Sequence, residues 1–505
     1  EDISSGDILF QDSFNEADGS VHNLRGNYEG PQFGGDFSAN ALVSTDQFKD
    51  ESDFFNSTTY ERYVGSSSND RGEIGLNFTR PLSQRFELET VGLWKLALGE
   101  GYSFGNDGQT VSTVDIDAEA GESIARAVLR YEHSPALSFE GGGEVAFNYR
   151  EQQIGLTVNG APIPLPASDV KIEELRSETF LESTWRPSDH WTLEGGVRVE
   201  QSTITQSGDT ALERSFTYPK PRLLATWAPT EWDQVRVRIE REVGQLDFRD
   251  FISNVNLDSD VITTGNARLE PDKTWAYEIA YEKRFWEDGA AILTLRHEQI
   301  DDVIDDFPFT ALVDSNGDGV FDDDADNDGL LDTTRVSGPG NIGDGTNNVI
   351  ELDLTVPMER LGIPGGEFKA NLVYENSEVT DPLTGQTRRI NRQRPDNLEL
   401  EYRQDLPARD LTLGVTWFDG WKERRYSLSE VTKLDLSNFI VAFVEYKPTE
   451  QFTLRTELSN LGPYDFVIER QSFDGPRDTG MLEEITREVR KSQVQLQVRA
   501  RWTFG

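Results

Sequence analysis

The 505-residue chain has no cysteine, which excludes disulfides, thiolate metal sites and cysteine nucleophiles. Histidine is almost as scarce: His22, His133, His190 and His297 are the full set. They are too few and too scattered for His-rich metal chemistry, and each reads as a surface or lumen residue rather than a general base. Cations are in short supply too, with Lys and Arg at 48 against 91 Asp and Glu, a formal charge of -43. That sign argues against a polyanionic partner, so no nucleic acid is expected. Long apolar runs are also missing. None approaches the roughly 18 to 20 residues of a spanning helix, and mean hydropathy is -0.56. A helical membrane protein is excluded, whereas a barrel is not, because its strands alternate lipid-facing and lumen-facing residues and average to moderate polarity.

Catalytic signatures are missing as well. There is no GxSxG, Walker loop or HExxH, and Gly141-Gly142-Gly143 falls within a strand pattern, where glycine relieves crowding or bends the sheet. Asp301-Asp302 and Asp305-Asp306 are adjacent pairs that a strand would turn to opposite faces, unlike a glycosidase dyad. The chain is not expected to be an enzyme. It opens at Glu1 without a basic-then-apolar export signal, which reads as removal by processing or truncation.

What is present is period-two alternation from end to end. Val494, Leu496, Val498, Ala500, Trp502 and Phe504 share one face, and Gln493, Gln495, Gln497, Arg499, Arg501 and Thr503 the other. Val235, Val237 and Ile239 alternate in the same way with Arg236, Arg238 and Glu240. Alternation alone also fits a stack of soluble β-sandwiches, so connection lengths decide. Tight proline turns recur at Arg80-Pro81, Arg186-Pro187, Ala228-Pro229 and Lys447-Pro448. Between them fall polar stretches read as long loops at 99–121, 246–273, 303–345 and 466–490. Short and long ends alternate, as in an outer-membrane barrel with short periplasmic turns and long extracellular loops. The expected fold is therefore all-β: one domain over residues 1–505, a large antiparallel transmembrane β-barrel of about 20–22 strands. Expected strands include 7–15, 22–31 and 84–98. Trp185, Trp191, Trp227, Trp232, Trp286 and Trp502 are expected in aromatic girdles.

The sharpest local motif lies at 312–334, where two Dx[DN]xDGxxD units run in tandem. Asp314, Asn316, Asp318, Val320 and Asp322 form the first ligand set, and Asp324, Asp326, Asp328, Leu330 and Asp332 the second. Oxygens at positions one, three and five converge when glycine at position six permits a sharp turn, and position seven offers its carbonyl. The pattern suits a structural Ca2+ in an extracellular loop. An EF-hand would need Glu at position twelve, where Ala325 and Arg335 stand, so the tandem resembles thrombospondin type 3 calcium loops instead.

The stretch Gly265-Asn266-Ala267-Arg268-Leu269-Glu270-Pro271, continuing to Glu282, resembles the GNxxLxPExxxxxExGxE segment of TonB-dependent outer-membrane receptors. Residues 221–243 are similar to the hairpin that precedes it in that family, and Glu457-Leu458-Ser459-Asn460-Leu461 to the family's NLF region. The resemblance implies an outer-membrane barrel of a Gram-negative bacterium, surrounded by outer-membrane lipids. It would take up a scarce small-molecule nutrient such as a metal chelate, cobalamin or oligosaccharide. Wet-face residues such as Arg198, Arg236, Arg238, Arg499 and Arg501 would hold a plug. Neither the family's plug nor its TonB box is recognisable, so coupling to the TonB-ExbB-ExbD complex implies a plug not seen in this chain. Two alternatives stand beside this reading: a passive porin-like or surface-display barrel without TonB, and a secreted soluble all-β calcium-binding protein.

Overall fold

Alternating oily and wet residues cannot satisfy a helix stripe, but they suit a strand with lipid on one side and water on the other. The computed structural model describes residues 12–55, 60–209, 211–257, 261–312, 333–462 and 464–503. Its main sheet has 21 strands. Two short ones, Ala161–Ile163 and Thr387–Arg388, belong to loops, and the others form an antiparallel meander in which each strand pairs with its sequence neighbours. The wall strands are β1 (Asp12–Gln32), β2 (Gly35–Phe55), β3 (Tyr60–Pro81), β4 (Phe86–Asn106), β5 (Val111–Ser134), β6 (Leu137–Val158), β7 (Asp169–Ser188), β8 (Trp191–Gly208), β9 (Leu212–Thr230) and β10 (Asp233–Val243). They continue as β11 (Lys273–Phe285), β12 (Gly289–Asp301), β13 (Gly345–Pro357), β14 (Gly366–Thr380), β15 (Asp396–Leu406), β16 (Leu411–Phe418), β17 (Phe439–Thr449), β18 (Phe452–Leu461) and β19 (Gln495–Trp502).

Register assigns the faces. Leu181 opposes Val197, and Trp185 opposes Leu193. Leu223 opposes Ile239, and Leu458 opposes Leu496. These rows form the outer, lipid-facing surface, where Leu181 is 59% and Leu496 66% exposed. On β7 the outward set runs from Leu175 to Trp185 before Glu173 and Lys171 take over, about the ten residues that a tilted strand needs to cross hydrocarbon. Trp191 and Trp227 face each other beside the short turns, with ring centroids 6.0 Å apart, a girdle position.

The inner face is wired by ion pairs. Arg130 reaches Glu87 at 3.0 Å, Glu89 at 2.5 Å and Glu140 at 2.9 Å across neighbouring strands. Arg198 holds Glu182 at 2.6 Å and Glu178 at 3.3 Å, and Arg238 holds Glu278 at 2.9 Å. The guanidinium groups of Arg198 and Arg238 are thus engaged by the wall itself, whereas Arg499 donates to Gln497 at 3.3 Å and forms no ion pair among the described residues. Phe180 lies between Arg126 and Arg198, 5.2 and 5.0 Å from its ring. That ring covers Gly142, where an added Cβ would strike both it and the Ala127 carbonyl. Gly142→Val is therefore expected to destabilise the barrel by about 1–3 kcal/mol, lowering the temperature at which its compact gel migration is lost in detergent.

Two expectations are corrected. Residues 99–121 are not a long loop: β4 runs to Asn106 and β5 starts at Val111, so only four residues turn. Their Asp, Gly and Ser content reflects a strand rim standing in water beyond the lipid, where outward positions have no need to be oily. The expected strands 7–15 and 22–31 are joined, because β1 is continuous from Asp12 to Gln32.

Tight turns such as 189–190, 231–232 and 450–451 gather at one end, and the long connections 244–272, 302–344, 381–395, 419–438 and 462–494 at the other. Within the loops, Asn254–Asn256, Val261–Thr263, Ile304–Leu312 and Thr333–Asn341 form a small sheet. A second one comprises Trp421–Tyr426, Glu430–Leu436, Asp465–Phe473 and Leu482–Lys491.

Candidate functional site

The segment from Gly265 to Glu270 is built as a latch. A Cβ at Gly265 would collide with the carbonyl of Phe251, so the close approach requires glycine. The Asn266 N–H donates to the Asp250 carbonyl at 2.9 Å and its side-chain amide to the Pro339 carbonyl at 3.0 Å. Leu269, 1% exposed, fills a core with Val170, Ile172, Ile204, Phe251 and Ile252. Asn341 closes the far side: its amide accepts from the Glu270 N–H at 2.9 Å and donates to the carbonyls of Glu270 at 2.8 Å and Asp302 at 2.9 Å. The latch therefore presses the 246–257 connection against the inner wall of β7 and β8, and ties it to the loop sheet.

Over this latch lies a cavity of about 580 Å3 at the long-loop end. It brings together Arg150 and Gln152 of β6, Asp247, Asp250 and Asn254 of the docked connection, Asp305 and Asp306, and Asn391 and Arg392. Eight strand spacings separate β6 from β14, about 40 Å in a flat sheet, so Arg150 of β6 and Arg392 of the connection that follows β14 meet only because the wall curls and the loops fold inward across its mouth.

The electrostatics of this mouth are mixed. Arg249 grips Asp247 with hydrogen bonds of 2.5 to 3.0 Å. Asp250 forms no ion pair among the described residues, and burial, followed by the neighbouring Asp247, pushes its carboxyl up to about 6. An unfolded loop would ionise near 4, so the docked state binds the proton more tightly. The docking of 246–257 is therefore firmest at acidic pH, loosens as pH rises from about 4, and carries the full penalty above 6. Hydrogen exchange of that segment, corrected for its intrinsic pH dependence, is expected to show less protection at pH 7 than at pH 5. Asp250→Asn should abolish the difference.

Behind the cavity a clasp ties the loops together. Arg388, 5% exposed, donates to Asp305 and Asp381, each at 2.8 Å. Arg477 also donates to Asp381 at 2.8 Å, and both arginines stack on Tyr426, 5.0 and 5.4 Å from its ring. Arg477, backbone N–H groups of Thr384 and Leu383, and Arg388 hold the Asp381 carboxyl well below the ordinary range, against its burial. Asp305 and Asp306 do not diverge as an ordinary strand would turn them. Both reach one residue of a neighbouring loop: the Asn391 N–H donates to Asp305 at 3.0 Å and its side-chain amide to Asp306 at 3.3 Å. This pairing fastens loops and has no dyad geometry.

The expected calcium ligands Asp314, Asn316, Asp318, Val320, Asp322, Asp324, Asp326, Asp328, Leu330 and Asp332 lie outside the described residues. The described strands on either side pair with each other, with Leu312 opposite Thr333. Among the described residues no group of three or more acidic or histidine side chains could hold a metal. His190 is bonded to the Ala228 carbonyl at 2.9 Å and His297 to Asn348 at 2.8 Å.

Sequence reasoning missed the arginines of this mouth. Arg388, Arg389, Arg392 and Arg394 crowd one short stretch, and Lys422, Arg424 and Arg425 another. Against a charge of -43 that density was the available signal.

The family profile described as TonB dependent receptor-like, beta-barrel matches residues 10–461. Among solved structures, the ferric citrate transporter FecA in its unliganded form superposes with a TM-score of 0.60 at 13% identity, covering 97% of this chain and 77% of that one. The pyoverdine outer membrane receptor FpvA from Pseudomonas aeruginosa PAO1 gives 0.59 at 12% identity, with 98% and 78% covered. The siderophore receptor PiuA from Acinetobacter baumannii gives 0.57 at 12%, with 98% and 82% covered. No curated protein matches significantly. At such identities the structural likeness concerns the fold.

Proposed function

The chain belongs to the TonB-dependent receptor β-barrel family, and from that premise we propose that it is the barrel of an outer-membrane importer for a scarce nutrient held in the mouth cavity. The observation that carries this reading is the convergence of wall and loop residues on one polar cavity of about 580 Å3, which a plain pore has no reason to build. The long-loop end then faces the exterior and the short turns face the periplasm. The siderophore and ferric citrate proteins that share the fold favour a metal chelate as cargo.

In this reading the loops capture the chelate and the wall forms a vestibule. Energy from the TonB-ExbB-ExbD complex, delivered through a plug, releases the cargo inward. The barrel supplies binding and enclosure, with no chemical step. Expression of the natural full-length receptor in a Gram-negative host lacking its own receptors tests this. Uptake of radiolabelled ferric chelates should occur and vanish when TonB is deleted. Uptake that persists without TonB would identify a passive barrel.

The acidic tandem at 312–334 is proposed to bind Ca2+ and stiffen that segment, since its carboxylates repel one another without a cation. Protease cleavage within 313–332 is expected to slow when calcium is added and to return with a chelator. Identical cleavage in both conditions would overturn the assignment.

A further inference from the structure

The scarcity of cations in this chain makes their placement at the mouth informative. Residues 388–394 and 422–425 carry seven of the 48 Lys and Arg residues, and the fold joins the two stretches. The Asn391 side-chain amide donates to the Tyr426 carbonyl at 2.9 Å, and the Tyr426 N–H donates back to it at 2.9 Å. The Arg392 N–H donates to the Arg424 carbonyl at 3.4 Å.

Some of this charge is cancelled internally. Arg388 is spent on Asp305 and Asp381. Arg394 and Arg425 share the buried Glu423, at 3.5 and 2.7 Å. Arg389, Arg392 and Arg424 have no carboxylate within ion-pair distance among the described residues, and Arg389 donates only to the Glu375 carbonyl at 3.2 Å. Across the mouth, Arg150 likewise has no carboxylate within ion-pair distance among the described residues, and its side chain donates to the Gln152 amide oxygen at 2.6 Å. Arg150 and Arg392 line the 580 Å3 cavity. Arg389 and Arg424 line a second cavity of about 440 Å3, together with Gln393. The buried Gln393 amide oxygen has no hydrogen-bond partner, so it awaits a hydroxyl or N–H.

Arg392 and Arg424 are exposed and Arg150 and Arg389 half-buried, so their planar forks stand open to a carboxylate or phosphate, whose oxygens they match in pairs. Resting on the importer reading, we infer that the cargo is a polyanion: a ligand bearing two or more oxyanion groups, with at least one hydroxyl or N–H donor, gripped between Arg392 and Arg150 and extended over Arg389 and Arg424. Of the carboxylates that line the same cavity, Asp247 is engaged by Arg249 and Asp305 by Arg388, and burial pushes those of Asp250 and Asp306 up toward the neutral form; the chain's more distant negative charge is screened beyond about 8 to 10 Å at physiological salt.

The full-length receptor, purified in detergent, is titrated with ferric citrate as a polycarboxylate, with a sugar bisphosphate as a phosphate-bearing probe, and with an uncharged ferric trihydroxamate. At least one anionic probe should bind, more weakly as salt rises. Arg392→Gln and Arg150→Gln should each weaken it about tenfold, the scale of one charge-assisted hydrogen bond, while Arg392→Lys recovers part of the loss. Which anionic probe binds distinguishes carboxylate from phosphate. Unchanged heat-modifiable migration of each variant excludes misfolding as the cause. Tight binding of the neutral chelate with no effect of either arginine would overturn the inference, as would binding of none of the three. The importer reading fails separately, only if uptake proves independent of TonB.

Discussion

Replacing Arg388 with methionine is expected to open the loop clasp and produce the largest single-residue effect outside the wall. Arg388 is buried between Asp305 and Asp381, which are 3% and 2% exposed. Removing one partner of a buried pair strands the other charge, at a cost of about 3–5 kcal/mol. Asp381 keeps Arg477 and its backbone donors, so Asp305, left with the N–H groups of Asn391 and Asp306 and no cation, carries most of the penalty. Hydrogen exchange should rise across 302–312 and 381–395 while the wall strands keep their protection. The double change Arg388→Met and Asp305→Asn should restore much of the order, because it removes the stranded charge while Asp381 keeps Arg477. If the single variant exchanges like the parent, the clasp does not hold these loops. The pH dependence runs opposite to that of Asp250. Because the folded state depresses the Asp381 carboxyl, its contribution is complete above about 4 and is lost only as pH falls below that. Acidification from pH 7 to pH 5 should leave the clasp intact while firming the docking of 246–257.

Leu269→Ala should detach the latch. The side chain is 1% exposed, among Val170, Ile172, Phe251 and Ile252, and truncating such a leucine costs about 2–5 kcal/mol. A loop segment has little stability of its own to absorb that loss, so 246–270 should become cleavable by added protease and cargo affinity should fall with it. Leu269→Met, which keeps the volume, should cost under about 1.5 kcal/mol and retain binding. Equal protease resistance in the alanine variant and the parent would show that the latch is held by its hydrogen bonds instead.

Much of the wall was legible because lipid imposes a strict rule on every second residue. Leu496, Val498 and Trp502 had to share a face, and they do. The rule lapses where strands rise out of the lipid, which is why Asp115, Asp117 and Glu119 of β5 resembled loop residues. The latch was visible as a motif around Gly265 and Leu269, but its role was not, since its partners Phe251, Pro339 and Asn341 are set by folding rather than by spacing. The mouth was the least legible part. Arg150 and Arg392 are 242 positions apart in sequence, and net charge pointed away from an anionic cargo until the internal pairing of each arginine was known.

The wall is uneven in height. From β1 to β9 the strands have 18 to 24 residues, and from β10 to β19 only 8 to 15, while the five long connections all belong to the lower half. The mouth therefore works like a vice with one fixed jaw. Continuous backbone pairing makes the tall half rigid, and Arg150 stands on it. The other jaw is jointed, and it carries Arg392 and the clasp. Any widening that admits or releases cargo must come from that jointed side, so entry is expected to be lateral, over the low rim, rather than straight down the axis.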